Sequence, residues 1–206
     1  MIIKTLAVGP IMANCYIVGC ENSKQAAVID PGDDADRILM ALAEDKLTVQ
    51  YILNTHGHFD HVGGNRRIKD ASGAELLIHE EDAPMLASLP QAAAAFGLSA
   101  ESSPAPDRNI ADGERITFGD ITFTVLHTPG HSPGGVSFHA DGTVFVGDTL
   151  FAGSIGRTDF EGGDFNTLIA SIKNKLFPLG DSVTVYTGHG PATTIGQEKR
   201  MNPFLR

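Results

Sequence analysis

Short apolar runs rich in β-branched and aromatic residues recur along the chain, at residues 15–18, 27–29, 49–53, 76–78, 121–125, 136–138, 144–146 and 183–186. Each is closed by Gly, Pro, Asn or Asp, and such runs read as strands. Between them the apolar spacing becomes helical. Ile38, Leu39, Leu42 and Ala43 share one helical face behind a candidate cap at Asp33, and Leu168, Ile169, Ile172 and Leu176 share another behind Asn166. Near the end, Thr194 and Gln197 stand at capping-box spacing and open a last short helix, although Gly196 in its first turn lowers helix propensity. Strands bunched at the start and again in the middle, with helices between, predict two similar halves of a layered α/β sandwich with helices outside. Residues 1–206 are expected to form one domain. Residues 86–107, an alanine-rich helix followed by a Ser/Pro loop, are either a lid or a surface connection.

Composition narrows the partners. A formal charge of −10 argues against a sequence-independent grip on nucleic acid or an anionic membrane, because phosphate polyanions are repelled, so a small-molecule substrate is favoured. The start carries no apolar run of secretory length and nothing later approaches the ~20 residues of a membrane span, which implies a cytoplasmic protein. Cys15 and Cys20, the only cysteines, read as buried thiols of a reducing compartment rather than a disulfide.

The chemistry is concentrated after the strand that ends at Leu53. His56, His58, Asp60 and His61 place four potential metal donors within six residues. On an extended segment His56 and His58 point the same way, while Asp60 and His61 lie where the chain turns into a helix, so the cluster offers two faces. Two cations need further ligands, and these are expected at other strand ends. His131 follows the run to Val125, Asp148 follows Val146-Gly147, and His189 follows the run to Tyr186. Each sits on a Gly or Pro-rich loop of the kind that carries ligand sites in α/β sheets. A single His beside glycine is ordinarily a loop residue; with the first cluster present, the set reads as a binuclear centre. His79, His127 and His139 lack a glycine frame and are left as structural. Asp148 has two oxygens with which to bridge two cations.

The motifs Thr55-His56-Gly57-His58-Phe59-Asp60-His61, Gly130-His131, Gly147-Asp148 and Gly188-His189-Gly190-Pro191 resemble, in this order, the metallo-β-lactamase superfamily. Val28-Ile29-Asp30-Pro31-Gly32, Gly147-Asp148-Thr149-Leu150-Phe151 and Gly156-Arg157-Thr158-Asp159-Phe160 are similar to its glyoxalase II group, hydrolases of hydroxyacylglutathione thioesters, in the short bacterial form. The resemblance implies a four-layered αββα sandwich without the C-terminal helical domain of the long form. It further implies that His56, His58 and His131 hold one divalent metal, that Asp60, His61 and His189 hold another, and that Asp148 bridges them. Asp60 and Asp148 thereby belong to the catalytic set, which cleaves S-D-lactoylglutathione or a related thioester by a hydroxide generated between the metals. Zinc is the expected metal, and the same donors suit iron and manganese. Asp30 is expected either to orient a ligand imidazole or to serve as a turn aspartate before Pro31-Gly32. Arg157 stands where a substrate-contacting lysine is expected, and either binds a substrate carboxylate or pairs with Asp159.

Three rivals remain at this stage. A persulfide dioxygenase shares the His-rich motif but uses one iron held by two His and one Asp. Lactonases and β-lactamases share the hydrolytic centre. A structural zinc module is disfavoured, because such sites are closed and thiolate-rich and no Cys lies near these donors.

Overall fold

Alternation along a strand assigns successive side chains to opposite faces, and in this chain both faces of the central strands are apolar. In strand β2 (Ala13–Gly19), every residue is buried. Cys15 and Ile17 turn to one core, Tyr16 and Val18 to another. A strand dividing its side chains in this way must have a layer on each side.

The computed structural model describes residues 1–206 and supplies those layers. The first sheet runs in the order β1 (Ile2–Val8), β2, β3 (Gln25–Ile29), β4 (Thr48–Leu53), β5 (Glu75–His79) and β6 (Arg108–Ile110). Its first three strands are antiparallel neighbours and its last four parallel. Helices α1 (Ala35–Glu44), α2 (Phe59–Val62), α3 (Asn65–Ser72) and α4 (Leu89–Ala95) lie between its strands in sequence. The second sheet is built from β7 (Arg115–Phe118), β8 (Ile121–His127), β9 (Val136–Ala140) and β10 (Thr143–Gly147), joined antiparallel. After the two-stranded ribbon of β11 (Leu150–Phe151) and β12 (Ser154–Ile155) and helix α5 (Phe165–Ser171), β13 (Thr184–Thr187) pairs parallel with β10, and β14 (Thr193–Thr194) closes that edge before α6 (Ile195–Met201).

Three cores fill the spaces between layers. Ile38, Leu42, Val62 and Ile68 pack helices onto the outer face of the first sheet. Tyr16, Ile29, Leu53 and Leu77 meet Phe118, Phe123, Phe138 and Phe145 between the sheets. Leu168, Ile172, Leu176 and Ile195 cover Val144, Val146 and Val185 of the second. The result is the αββα sandwich anticipated from the sequence.

Several local expectations change. Asp33 does not cap α1. The cap position is Asp34, in the left-handed region at φ 49°, and its side chain makes no cap bond; Asp33 Oδ1 instead accepts the Asp34 N–H at 2.6 Å. Asn166 does not cap α5 either. Asp164 does, accepting the Thr167 N–H at 2.7 Å, because a carboxylate three residues back reaches that unpaired donor. Thr194 does cap α6, accepting the Gln197 N–H at 3.2 Å. Gly196 belongs there for space: its N–H donates to the Asp181 carbonyl, and a Cβ would lie 2.9 Å from that oxygen. Strands β1, β6, β7, β11, β12 and β14 are additional to those anticipated. In residues 86–107 the helix is α4, and the following loop is pinned by Arg66 to the Ser102 carbonyl and by Asn65 to the Ser103 hydroxyl. No helix is long and apolar enough to cross a membrane.

Candidate metal centre

Four strands stop at the same end of the sandwich, and each is followed within a few residues by a donor: β4 by His56, His58, Asp60 and His61, the β8–β9 connection by His131, β10 by Asp148, and β13 by His189. The first segment departs from expectation. It does not continue β4 as a strand; His56 lies in a bend and His58 is the extended residue that opens α2. The imidazoles nevertheless converge, because the turn into α2 brings His58 round to face His56, with ring centroids 4.7 Å apart and planes at 88°. The two halves are also tied at this end: Asn14 N–H donates to the Gly188 carbonyl at 2.7 Å, and the Tyr16 hydroxyl to the Thr187 carbonyl at 2.6 Å.

Two triples of ligand atoms face one another, each with its members within 4.8 Å of one another: His56, His58 and His131, then Asp60, His61 and His189; Asp30 forms a further such triple with His56 and His61. The Asp148 carboxylate lies between the first two, Oδ1 3.3 Å from His61 Nε2 and Oδ2 3.6 Å from His131 Nε2 and 3.7 Å from His189 Nε2. Asp60 Oδ2 lies 3.2 Å from His189 Nε2.

Hydrogen bonds behind the imidazoles fix which nitrogen faces the centre. The Thr55 hydroxyl spends its proton on Asp30 Oδ2 at 2.6 Å, so it accepts from His56 Nδ1–H at 2.9 Å, leaving His56 Nε2 as a lone pair directed inward. His61 Nδ1 donates to the same Asp30 oxygen at 3.1 Å, and His131 Nδ1 to the Arg157 carbonyl at 2.7 Å. Asp30 is buried, sits at φ 50°, and also receives the Thr55 N–H at 2.7 Å. This is the arrangement by which ligating histidines are usually oriented. His58 approaches with Nδ1, 2.9 Å from His131 Nε2.

The fit to a cation can be judged from what is left unpaired. Buried polar atoms are nearly always bonded, yet His56 Nε2 and Asp148 Oδ1 are both buried with no hydrogen-bond partner. Both point into the space that the two triples enclose. The electrostatics differ between the triples. Burial, then the neighbouring imidazoles, hold His56 well below its ordinary range and bring His58 down to about 4, so both offer neutral lone pairs at neutral pH. Burial would lower His61 and raise Asp148, but their mutual attraction reverses both directions. A His/Asp donor set in this fold, with a carboxylate shared between triples, suits divalent metals.

A third group of donors does not. His79, Glu81 and His127 come within the same distance of one another, but the two rings stack at 9° with centroids 4.3 Å apart, so their in-plane lone pairs run side by side. His127 Nε2 is also 3.0 Å from the Pro133 carbonyl. His58 and His131, by contrast, cross at 88°.

Over the centre opens a cavity of about 450 Å³, whose apolar wall includes Met85, Leu89, Phe96 and Phe160 and whose floor includes His58, Asp60, Asp148 and His189. Arg157 also lines it. Its Nε and Nη2 are both committed to the Asp159 carboxylate, at 2.7 and 2.6 Å, and its guanidinium lies 3.8 Å over the Phe160 ring. Neither Thr55 nor the apolar wall was legible in the sequence. Thr55 stands inside the motif but its hydroxyl works between Asp30 and His56, a pairing only the fold reveals, and the wall comes from residues distant in sequence.

A profile described as the Metallo-beta-lactamase superfamily matches residues 8–189. The chain is 44% identical to the hydroxyacylglutathione hydrolase GloC of Haemophilus influenzae, over all of this chain and 98% of that one. BLEG-1, described as a B3 metallo-beta-lactamase, has a TM-score of 0.93 at 40% identity, with 99% of each chain covered. The di-iron-bound form of TTHA1623 has a TM-score of 0.91 at 41% identity, covering 98% of this chain and all of that one.

Proposed function

The chain belongs to the metallo-beta-lactamase superfamily, and from that premise we propose that it is a thioester hydrolase working with two divalent cations, its substrate S-D-lactoylglutathione or a related hydroxyacylglutathione. The observation that carries this reading is the Asp148 carboxylate, unpaired at Oδ1, between two triples whose histidines are each turned inward. His56, His58 and His131 would hold one cation, Asp60, His61 and His189 the other, and Asp148 both. Two cations so held supply Lewis-acid activation of water and of the thioester carbonyl.

The chain's own residues do the rest. Asp30 and Thr55 keep the imidazoles in the ligating tautomer. Met85, Leu89, Phe96 and Phe160 shield the reacting group from bulk water. No general acid is required of the protein, since a thiolate leaves readily. Arg157 is the proposed contact for a substrate carboxylate, which it would take in exchange for, or beside, Asp159. The thioester is favoured over a lactam by the full-length similarity to a hydroxyacylglutathione hydrolase. Zinc is the proposed metal; the di-iron relative makes iron the alternative. A reducing, cytoplasmic setting is proposed on the strength of two free, buried cysteines.

The test is to count metals per purified chain and follow loss of the thioester absorbance of S-D-lactoylglutathione in the same preparation. Two metals with rapid hydrolysis are expected, and Asp148→Ala should lose metal retention and turnover together. One iron, no hydrolysis and oxygen uptake on glutathione persulfide would replace the hydrolase with a dioxygenase.

A further inference from the structure

Asp82 is a fully buried carboxylate outside the metal centre. It lies just past β5, at the head of the 3-10 turn Ala83–Ser88. Its oxygens accept three hydrogen bonds from the two loops that carry one triple. Oδ2 takes the N–H of Gly57, between His56 and His58, at 2.9 Å, and the hydroxyl of Ser132, adjacent to His131, at 2.7 Å. Oδ1 takes the N–H of Gly134 at 2.6 Å. A Cβ on Gly134 would lie 2.8 Å from Asp82 Cγ and Oδ1, so the loop is glycine where the carboxylate passes. A buried carboxylate needs such charge-assisted bonds, and satisfying it fixes the Gly57 and Ser132 ends of two loops whose one direct backbone bond, Val136 N–H to the Thr55 carbonyl at 2.8 Å, lies farther from His58 and His131.

We propose that Asp82 is a positioning residue that sets the separation between the His56/His58 pair and His131, and thereby the metal affinity of that site in preference to the other. The inference rests on the reading that these histidines are ligands. No hydrogen bond from Asp82 reaches the loops bearing His189 or Asp148, and its only link to the segment bearing Asp60 and His61 is through Gly57. Its removal should therefore act on one site.

The experiment titrates the metal-free protein with cobalt(II), followed by its visible spectrum, and with zinc against a chromophoric chelator. Asp82→Asn, which puts an amide N–H₂ against N–H donors, should weaken one of the two binding steps about 10–100-fold and leave the other at its wild-type value. His131→Ala identifies which step belongs to that site. Ser132→Ala, which removes one of the three bonds, should weaken the same step by less, and it decides the matter if Asp82→Asn fails to fold. Equal weakening of both steps would mean that Asp82 only supports the fold, and wild-type binding in both variants would remove any role; either result overturns the proposal alone. Wild-type protein that binds no metal would overturn the binuclear reading, and this inference with it.

Discussion

The Thr55 hydroxyl has one proton, and the direction in which it is used matters to the centre. Because the proton goes to Asp30, the oxygen is left to accept from His56 Nδ1. Thr55→Val keeps the shape of this buried side chain and removes only that relay, so His56 loses the bond that fixes its tautomer. Affinity at the His56–His58–His131 site is expected to fall about 10–100-fold, measured by competition with a chromophoric chelator, with little change in the fold. The candidate donors, which the fold brings together, were legible in sequence because imidazole and carboxylate side chains crowd glycine-framed strand ends, where a structural role is hard to find for so many of them. Asp82 was not legible. It ends the run Glu80-Glu81-Asp82, which in sequence looks like any solvated acidic turn; only the fold brings Gly57, Ser132 and Gly134 to it. Arg157 shows the converse, since its nearness to Asp159 was visible in sequence and the bidentate pair forms.

Among the elements, the strands that alternate between two apolar cores announced themselves through unbroken β-branched runs. β1 did not, because Lys4 and Thr5 interrupt it and most of it is only half-buried at the sheet edge. β7 alternates cleanly but has four residues, too few to stand out between turns. Two of the three predicted helix caps lie one or two residues from their true positions, since Asp33 and Asn166 each stand close to another residue of capping type, whereas Thr194 caps α6 as expected. For α5 this makes a test. Asp164→Ala should lower Tm by about 2–4 °C, whereas Asn166→Ala, inside the first turn, should leave Tm nearly unchanged in the same calorimetric scan.

For the molecule as a whole, the two halves contribute unequally to a site that neither completes: the first sheet's connections supply four donors and the second's supply three. Removing the cations should then weaken the union of the halves as well as abolish activity. With free zinc at about a hundred times its dissociation constant, binding contributes roughly 2.7 kcal/mol, so chelation should lower Tm by about 5–10 °C and zinc should restore it. The sequence separation of the paired donors adds a topological side to this. His58 and His131 are 73 residues apart and His61 and His189 are 128, so each cation, once bound, would act as a reversible clasp on a long chain loop. A cation that binds only the folded chain offsets the entropy lost in closing such a loop, a cost that grows with the length of the loop. A reducing compartment would deny a protein a cross-link through sulfur; zinc held at the seam would supply one that thiols in solution do not reduce.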